Sequence, residues 1–147
     1  MASSELENLV KIGQLKREPH NPQEFDGLVK SGAARLTDAA KPGLALESKF
    51  DLAYNGAHAV ALAALRYRGY RSENRFIVFQ ALPHTVGIPD TVWRVLAKGH
   101  ERRNLAEYEG DLDVDERLLA DIMKAANAVL TAVRALPRIE GSGKRRS

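Results

Sequence analysis

The chain has 147 residues, 44% hydrophobic and 28% charged, with a formal charge of +3 and no cysteine. A single chain of this size forms one domain that buries roughly 70% of the surface it exposes when unfolded. The absence of cysteine excludes disulfides, thiolate metal sites and a thiol nucleophile, and fits a reducing, cytoplasmic setting. No apolar run reaches the ~20 residues of a membrane span, and the polar, acidic start Met1-Ala2-Ser3-Ser4-Glu5 is unlike a signal peptide.

Ser3 or Ser4 caps a first short helix reaching about residue 14, with Leu6, Leu9, Val10 and Gly13 as a narrow apolar face. Residues 16–20 are a break. Asn21-Pro22 starts the second helix, an N-cap followed by proline at the first helical position. Phe25, Leu28, Val29, Gly32, Leu36 and Ala39 or Ala40 recur at threes and fours. Gly27 and Gly32 weaken this helix, by up to about 1 kcal/mol each against alanine, so tertiary packing must hold it.

The third helix, about 46–68, is the longest and most apolar. Phe50, Ala53, Tyr54, Ala57, Ala61, Ala64 and Leu65 form one stripe, and Leu52, Ala59, Leu62 and Ala63 widen it almost all round. A helix apolar on most sides belongs in the middle of a bundle, and its alanines let neighbours approach closely. Gly69 ends it. Ser72 is the expected cap of the next helix, which Pro83 and Gly87 break. Asp90 is the expected N-cap of a helix that runs to about Tyr108 and stops at Gly110. Asp113 with Glu116 three residues on resembles a capping box for the last helix. There Leu119, Ile122, Ala126, Val129, Val133 and Leu136 make a bundle stripe that ends at Pro137.

No segment alternates like a strand. The pattern predicts an all-α fold: an up-and-down bundle of four to five main helices plus a short N-terminal helix, with neighbours antiparallel. Residues 1–140 form the single helical domain and 141–147 a flexible basic tail. Three of the 22 basic residues lie in that tail, so the rest of the chain balances its 19 acids. The pI of about 9.3 therefore does not by itself point to nucleic acid.

The chemistry concentrates at residues 100–110. Val92, Leu96, Gly99, Arg103 and Ala106 share one helical line, so Arg103 continues an apolar stripe and must be paired or face a cleft or interface. His100, Asn104 and Tyr108 form the adjacent line, and Glu107 follows Arg103 by four. Such a surface suits a phosphate backbone, with Arg102 and Arg103 as charged donors and Asn104 and Tyr108 as neutral ones. An Arg103–Glu107 pair on an ordinary polar surface is the plainer reading. Asp51, Asn55 and His58 form a polar line through the long helix that could face and orient the Arg103 cluster. The plainer reading of His58 is a satisfied core histidine. His20 and His84 fall in breaks and are expected to be solvated. His100-Glu101-x-x-Asn104 lacks the second histidine of a zinc-protease motif, and no phosphate-binding glycine loop is present. Neither a metal nor a cofactor is expected. Trp93 is expected to be a core or interface anchor.

Arg103-Asn104 followed by a tyrosine and a glycine late in a bundle helix resembles the HEPN superfamily (higher eukaryotes and prokaryotes nucleotide-binding). The alanine-rich helix around residues 50–59 and the segment 68–75 are similar to that family as well, so the resemblance covers about residues 48–136. It implies a dimeric helical bundle. In ribonuclease members the R-x(4–6)-H motifs of two copies meet to cleave RNA without metal. The family arginine falls on Arg103, the next polar position on Asn104, and the histidine position on Tyr108, a departure. A phenol titrating near 10 is a poor base at neutral pH. The resemblance therefore implies a homodimer that binds RNA, a nucleotide or a protein partner without catalysis. Its setting is a toxin–antitoxin or defence pair with a nucleotidyltransferase-type antitoxin. The alternative is a metal-independent ribonuclease with an atypical site of Arg103, Asn104, Tyr108 and His100.

Overall fold

The computed structural model describes residues 4–110 and 114–139, and of residues 107–109 the helical backbone alone. The elements are α1 (Ser4–Lys11), β1 (Lys16–Arg17), α2 (Pro22–Ala39), α3 (Leu46–Tyr67), β2 (Tyr70–Arg71), α4 (Arg75–Gln80), α5 (Leu82–Thr85), α6 (Asp90–Glu109) and α7 (Glu116–Arg134). The protein is an all-α bundle. Asp113 and the basic tail, 141–147, lie outside the described residues. No helix among those described is long and apolar enough to cross a membrane.

Short polar signals set the helix ends. The Asn21 side chain accepts from the Glu24 amide at 3.0 Å and Pro22 opens α2. Gly110, at φ +73°, closes α6 in the left-handed conformation that glycine adopts without a Cβ clash. Other ends differ from expectation by one to three residues, and α1 stops at Lys11 rather than at about residue 14. Asn74, not Ser72, caps α4, accepting from the Ile77 amide at 3.3 Å; the Ser72 hydroxyl accepts from the Asn74 amide and shapes the approach. Pro89 occupies the N-cap position of α6, while the Asp90 carboxylate accepts from the Trp93 indole at 3.1 Å. Asp115 caps α7 through the Leu118 amide at 2.8 Å. The helical run is interrupted at Ala81, two residues before Pro83, which sits in the first turn of α5, where its missing N–H is no loss.

The side chains that meet give the helix directions. Glu24 meets Arg66, Phe25 meets Tyr67, and Gly32 faces Val60, so α2 and α3 are antiparallel. Asp51 meets Arg103 and Tyr54 meets His100, so α3 and α6 are antiparallel too. The α3 stripe of Phe50, Ala53, Tyr54, Ala57, Ala61, Ala64 and Leu65 is buried throughout, and α3 packs against α2, α4, α6 and α7. On α7, Ile122, Ala126, Val129 and Val133 are buried as their spacing predicts.

Two glycines let α2 and α3 touch. A Cβ on Gly32 would lie 2.6 Å from Val60 Cγ1 and 3.0 Å from the Gly56 carbonyl; one on Gly56 would lie 3.0 Å from Leu36 Cγ. Between α6 and α7, Gly99 leaves room for Ile122 Cδ1, which a Cβ would approach to 2.7 Å.

A strand pair was not expected. β1 and β2 are antiparallel, with Lys16 opposite Arg71 and Arg17 opposite Tyr70. Two residues a side are too few for an alternation to show in sequence. The pair is held by what flanks it. Arg66, 1% exposed, donates from Nε to Glu24 Oε1 at 2.8 Å, from Nη1 to the Glu18 carbonyl at 2.8 Å and from Nη2 to the Pro19 carbonyl at 2.6 Å. Arg71 bonds Glu24 and, at 3.1 Å, Glu18. Burial pushes the Glu24 pKa up, but hydrogen bonds from Arg71 and Arg66 outweigh it and hold the carboxyl below its ordinary value. On the other side Glu7 of α1 accepts from Arg17 and from the Tyr70 hydroxyl.

Candidate functional site

The first half of α3 and the middle of α6 share a polar cluster on an apolar floor. Every fourth or third residue of α3 from Asp51 faces α6 or α4: Asp51, Tyr54, Asn55 and His58 lie on one helical line. Tyr54, 3% exposed, is its centre. Its ring stacks on Phe50 at 6.3 Å and 7° and meets the edge of Phe79 at 6.1 Å. Two guanidiniums lie over it, Arg75 at 5.4 Å and Arg103 at 5.8 Å from the ring centre, within the range where a ring quadrupole attracts a cation.

Arg103 is half-buried and forms an ion pair with Asp51. The arginine in the apolar seam of α6 is therefore paired across to α3, as its position requires. Glu107 and Tyr108, the other expected neighbours, have side chains outside the described residues. Asn55 links the same line to α4: its amide donates to the Asp51 carbonyl at 2.8 Å and its oxygen accepts from Arg75 Nη1 at 3.0 Å.

His100 sits between the two helices. Its Nδ1 is 2.8 Å from the Tyr54 hydroxyl and its Nε2 is 3.1 Å from the Asn104 amide nitrogen. An amide nitrogen only donates, so Nε2 is the acceptor, and the proton of the neutral ring lies on Nδ1, donated to the Tyr54 oxygen. The basic nitrogen thus faces outward along α6. His58 lies deeper, edge-on to Phe79 at 6.1 Å. Burial, then the positive charge of Arg75, and after them the charge that His100 carries when it is protonated, lower its pKa to about 4. It is a neutral histidine of the inner wall.

Beside this cluster runs an open groove of about 660 Å³ between α4 and α6. Phe76, 38% exposed, and Leu105, 46% exposed, flank it, with Trp93 edge-on to Phe76 at 6.0 Å. Arg94, Lys98, Glu101, His100 and Asn104 complete its rim. Trp93 is partly buried, packed against the core, and also forms a wall of the groove.

The structure thus brings together Asp51, Asn55, His58, His100, Arg103 and Asn104. Arg102 points elsewhere, lining a small hollow with Asp115, Arg117 and Asp121 at the start of α7. Tyr54 and Arg75 belong to the cluster and were missed. Tyr54 reads as an apolar-stripe residue, and its hydroxyl is spent inward. Arg75 reads as an ordinary first-turn arginine of α4. His84 is exposed as expected, with Glu5 at 3.9 Å. His20 is not solvated: it is packed between Phe25 at 5.7 Å and Tyr67 at 5.5 Å. No family model, curated protein or solved structure matches the chain.

Proposed function

We propose that this protein is a HEPN-like helical module that binds RNA through the surface formed by α3, α4 and α6. The observation that carries the reading is the stacking of Arg75 and Arg103 on the Tyr54 ring, beside His100 and Asn104, at the edge of a groove with exposed aromatic walls. Guanidiniums and an amide suit phosphate and sugar oxygens; Phe76 and Trp93 suit unstacked bases. Arg103 shares its charge with Asp51, so a phosphate draws charge from Arg75, Arg94 and Lys98 as well. The Arg103-Asn104 pair resembles the motif arginine of the HEPN superfamily and the polar residue after it, and that resemblance favours a homodimer and a nucleotidyltransferase-type antitoxin partner. With Tyr108 at the motif's histidine position, binding without cleavage is the primary reading.

The test is fluorescence anisotropy with a labelled single-stranded RNA at low salt. Arg103→Ala should weaken binding about tenfold or more, the worth of a charge-assisted pair, with the helical circular dichroism and sedimentation coefficient unchanged. Equal affinity for both proteins overturns the assignment. A second reading rests on His100, whose Nε2 lies 3.1 Å from the Asn104 amide in the same cluster as Arg103: a metal-independent ribonuclease with His100 as base. RNA cleaved in EDTA by the wild type and left intact by His100→Ala supports it; intact RNA with both refutes it.

A further inference from the structure

Arg66, Arg71 and Arg103, buried or half-buried, each meet a carboxylate: Arg66 and Arg71 meet Glu18 and Glu24, and Arg103 meets Asp51. Arg75 is half-buried too, yet it forms no ion pair among the described residues. Its Nη1 donates to Asn55 Oδ1 at 3.0 Å, and its guanidinium lies 5.4 Å from the centre of the Tyr54 ring. Asn55 is itself fixed, donating from Nδ2 to the Asp51 carbonyl at 2.8 Å. An asparagine stands where the isosteric aspartate would cancel the charge. The amide therefore orients the guanidinium and leaves its charge unopposed. That charge is felt nearby: after burial, it is the next cause of the lowered pKa of His58.

The cation is also reachable. Among the described residues, His20 Nδ1 is the one side-chain polar atom that is buried without a hydrogen bond. Arg75 Nε and Nη2 form no hydrogen bond in the protein, so both touch solvent. The hydrogens on these two nitrogens point the same way and make the planar fork that matches two phosphate oxygens. Tyr54 joins this arginine to the groove, because its hydroxyl meets His100 and the His100 ring lies 6.5 Å from that of Phe76.

Building on the RNA-binding reading above, we propose that Arg75 is the phosphate seat of this surface, that Asn55 is its positioning residue, and that Asp51, by pairing Arg103, makes that arginine the weaker contact. One phosphate occupies the free fork of Arg75, and the adjoining base lies toward Phe76.

The experiment measures the affinity of the full chain for a labelled oligouridylate across a salt series. Arg75→Gln should weaken binding about ten- to hundredfold, the worth of charge-assisted bonds. It should also flatten the slope of log affinity against log salt by about 0.7, one phosphate contact fewer. Asn55→Asp should do the same with the guanidinium still present. Asn55→Ser, which loosens Arg75 without cancelling it, should weaken binding and keep the slope. Asp51→Asn releases Arg103 and should tighten binding severalfold. Should Arg75→Gln fail to fold, the opposite signs of Asn55→Asp and Asp51→Asn decide. Inorganic pyrophosphate is the second probe: it should shift the Arg75 Nε–Hε resonance in the native chain and not in Asn55→Asp. If pyrophosphate shifts Arg75 and no RNA binds, the seat stands and the RNA reading falls. If RNA binds and Arg75→Gln or Asn55→Asp binds it equally well, the seat falls and the RNA reading stands. No shift at Arg75 with either ligand overturns the proposal.

Discussion

The two glycines of α2 should respond to the same substitution with opposite signs. At Gly32→Ala the new methyl lies 2.6 Å from Val60 Cγ1, 3.0 Å from the Gly56 carbonyl and 3.3 Å from Ala59 Cβ. Carbon atoms prefer about 3.5 to 4.0 Å, so the nearest contact is short by about 1 Å. Val60 is fully buried and the Gly56 oxygen is backbone, so neither moves aside freely. Overpacking of this kind costs about 1 to 3 kcal/mol, and alanine returns at most about 1 kcal/mol of helix propensity. With the propensity gain fully realised the net loss is up to about 2 kcal/mol, which for a domain of this size lowers Tm by up to about 6 °C. At Gly27, exposed and with nothing within 4 Å of a Cβ, only the propensity gain remains, and Gly27→Ala should raise Tm by about 2 °C. Thermal melts followed at 222 nm compare the two. Val60→Ala added to Gly32→Ala should recover part of the loss, a coupling of about 0.5 kcal/mol or more in a double-mutant cycle. If Gly32→Ala also raises Tm, or the cycle is additive, the close approach of α2 and α3 is not what limits this position.

Two further outcomes follow from buried charge. His58 is neutral in the fold because burial, Arg75 and His100 lower its pKa from 6.5 to about 4. Between those values the unfolded chain binds a proton that the folded chain does not, so this residue's contribution makes stability fall as pH drops from about 6.5 to about 4 and level off below. Its full span is on the order of 3 kcal/mol. Urea unfolding at several pH values should show this slope reduced in His58→Gln; an unchanged slope refutes it. Arg66→Met leaves Glu24 and the carbonyls of Glu18 and Pro19 without their buried donor. Breaking such a pair costs about 3 to 5 kcal/mol, so Tm should drop by about 10 °C; calorimetry showing a drop under about 3 °C refutes the role of this network.

Local patterns read well where one residue type has one use. Asn21-Pro22 and Gly110 mark helix ends in sequence and in the structure, because an N-cap side chain, a proline without an amide hydrogen and a left-handed glycine each satisfy a local backbone demand. Where two neighbours compete, the sequence does not choose. Ser72 and Asn74 both suit an N-cap, and tertiary packing selects Asn74. The strand pair and Arg66 were not legible at all. Arg66 occupies a core position that its neighbours mark as apolar, and Glu24, Glu18 and Pro19, which it bonds, lie more than forty residues away in sequence. The same holds in the candidate site. The spacing of Asp51, Asn55 and His58 marked one polar line and Arg103 demanded a partner, but Tyr54 and Arg75 acquire their roles only through packing.

Tyr54 has two duties at once. Its ring belongs to the buried stripe of α3, and its hydroxyl and π-face hold His100, Arg75 and Arg103. The polar cluster is therefore anchored in the same helix that organises the hydrophobic interior, and it cannot drift without disturbing the packing around it. Its inner half is effectively frozen, whereas Glu101 and Leu105 on the groove side of α6 are exposed and bear little structural load. Substitution is least disruptive at those outer positions, while the floor beneath them keeps its geometry.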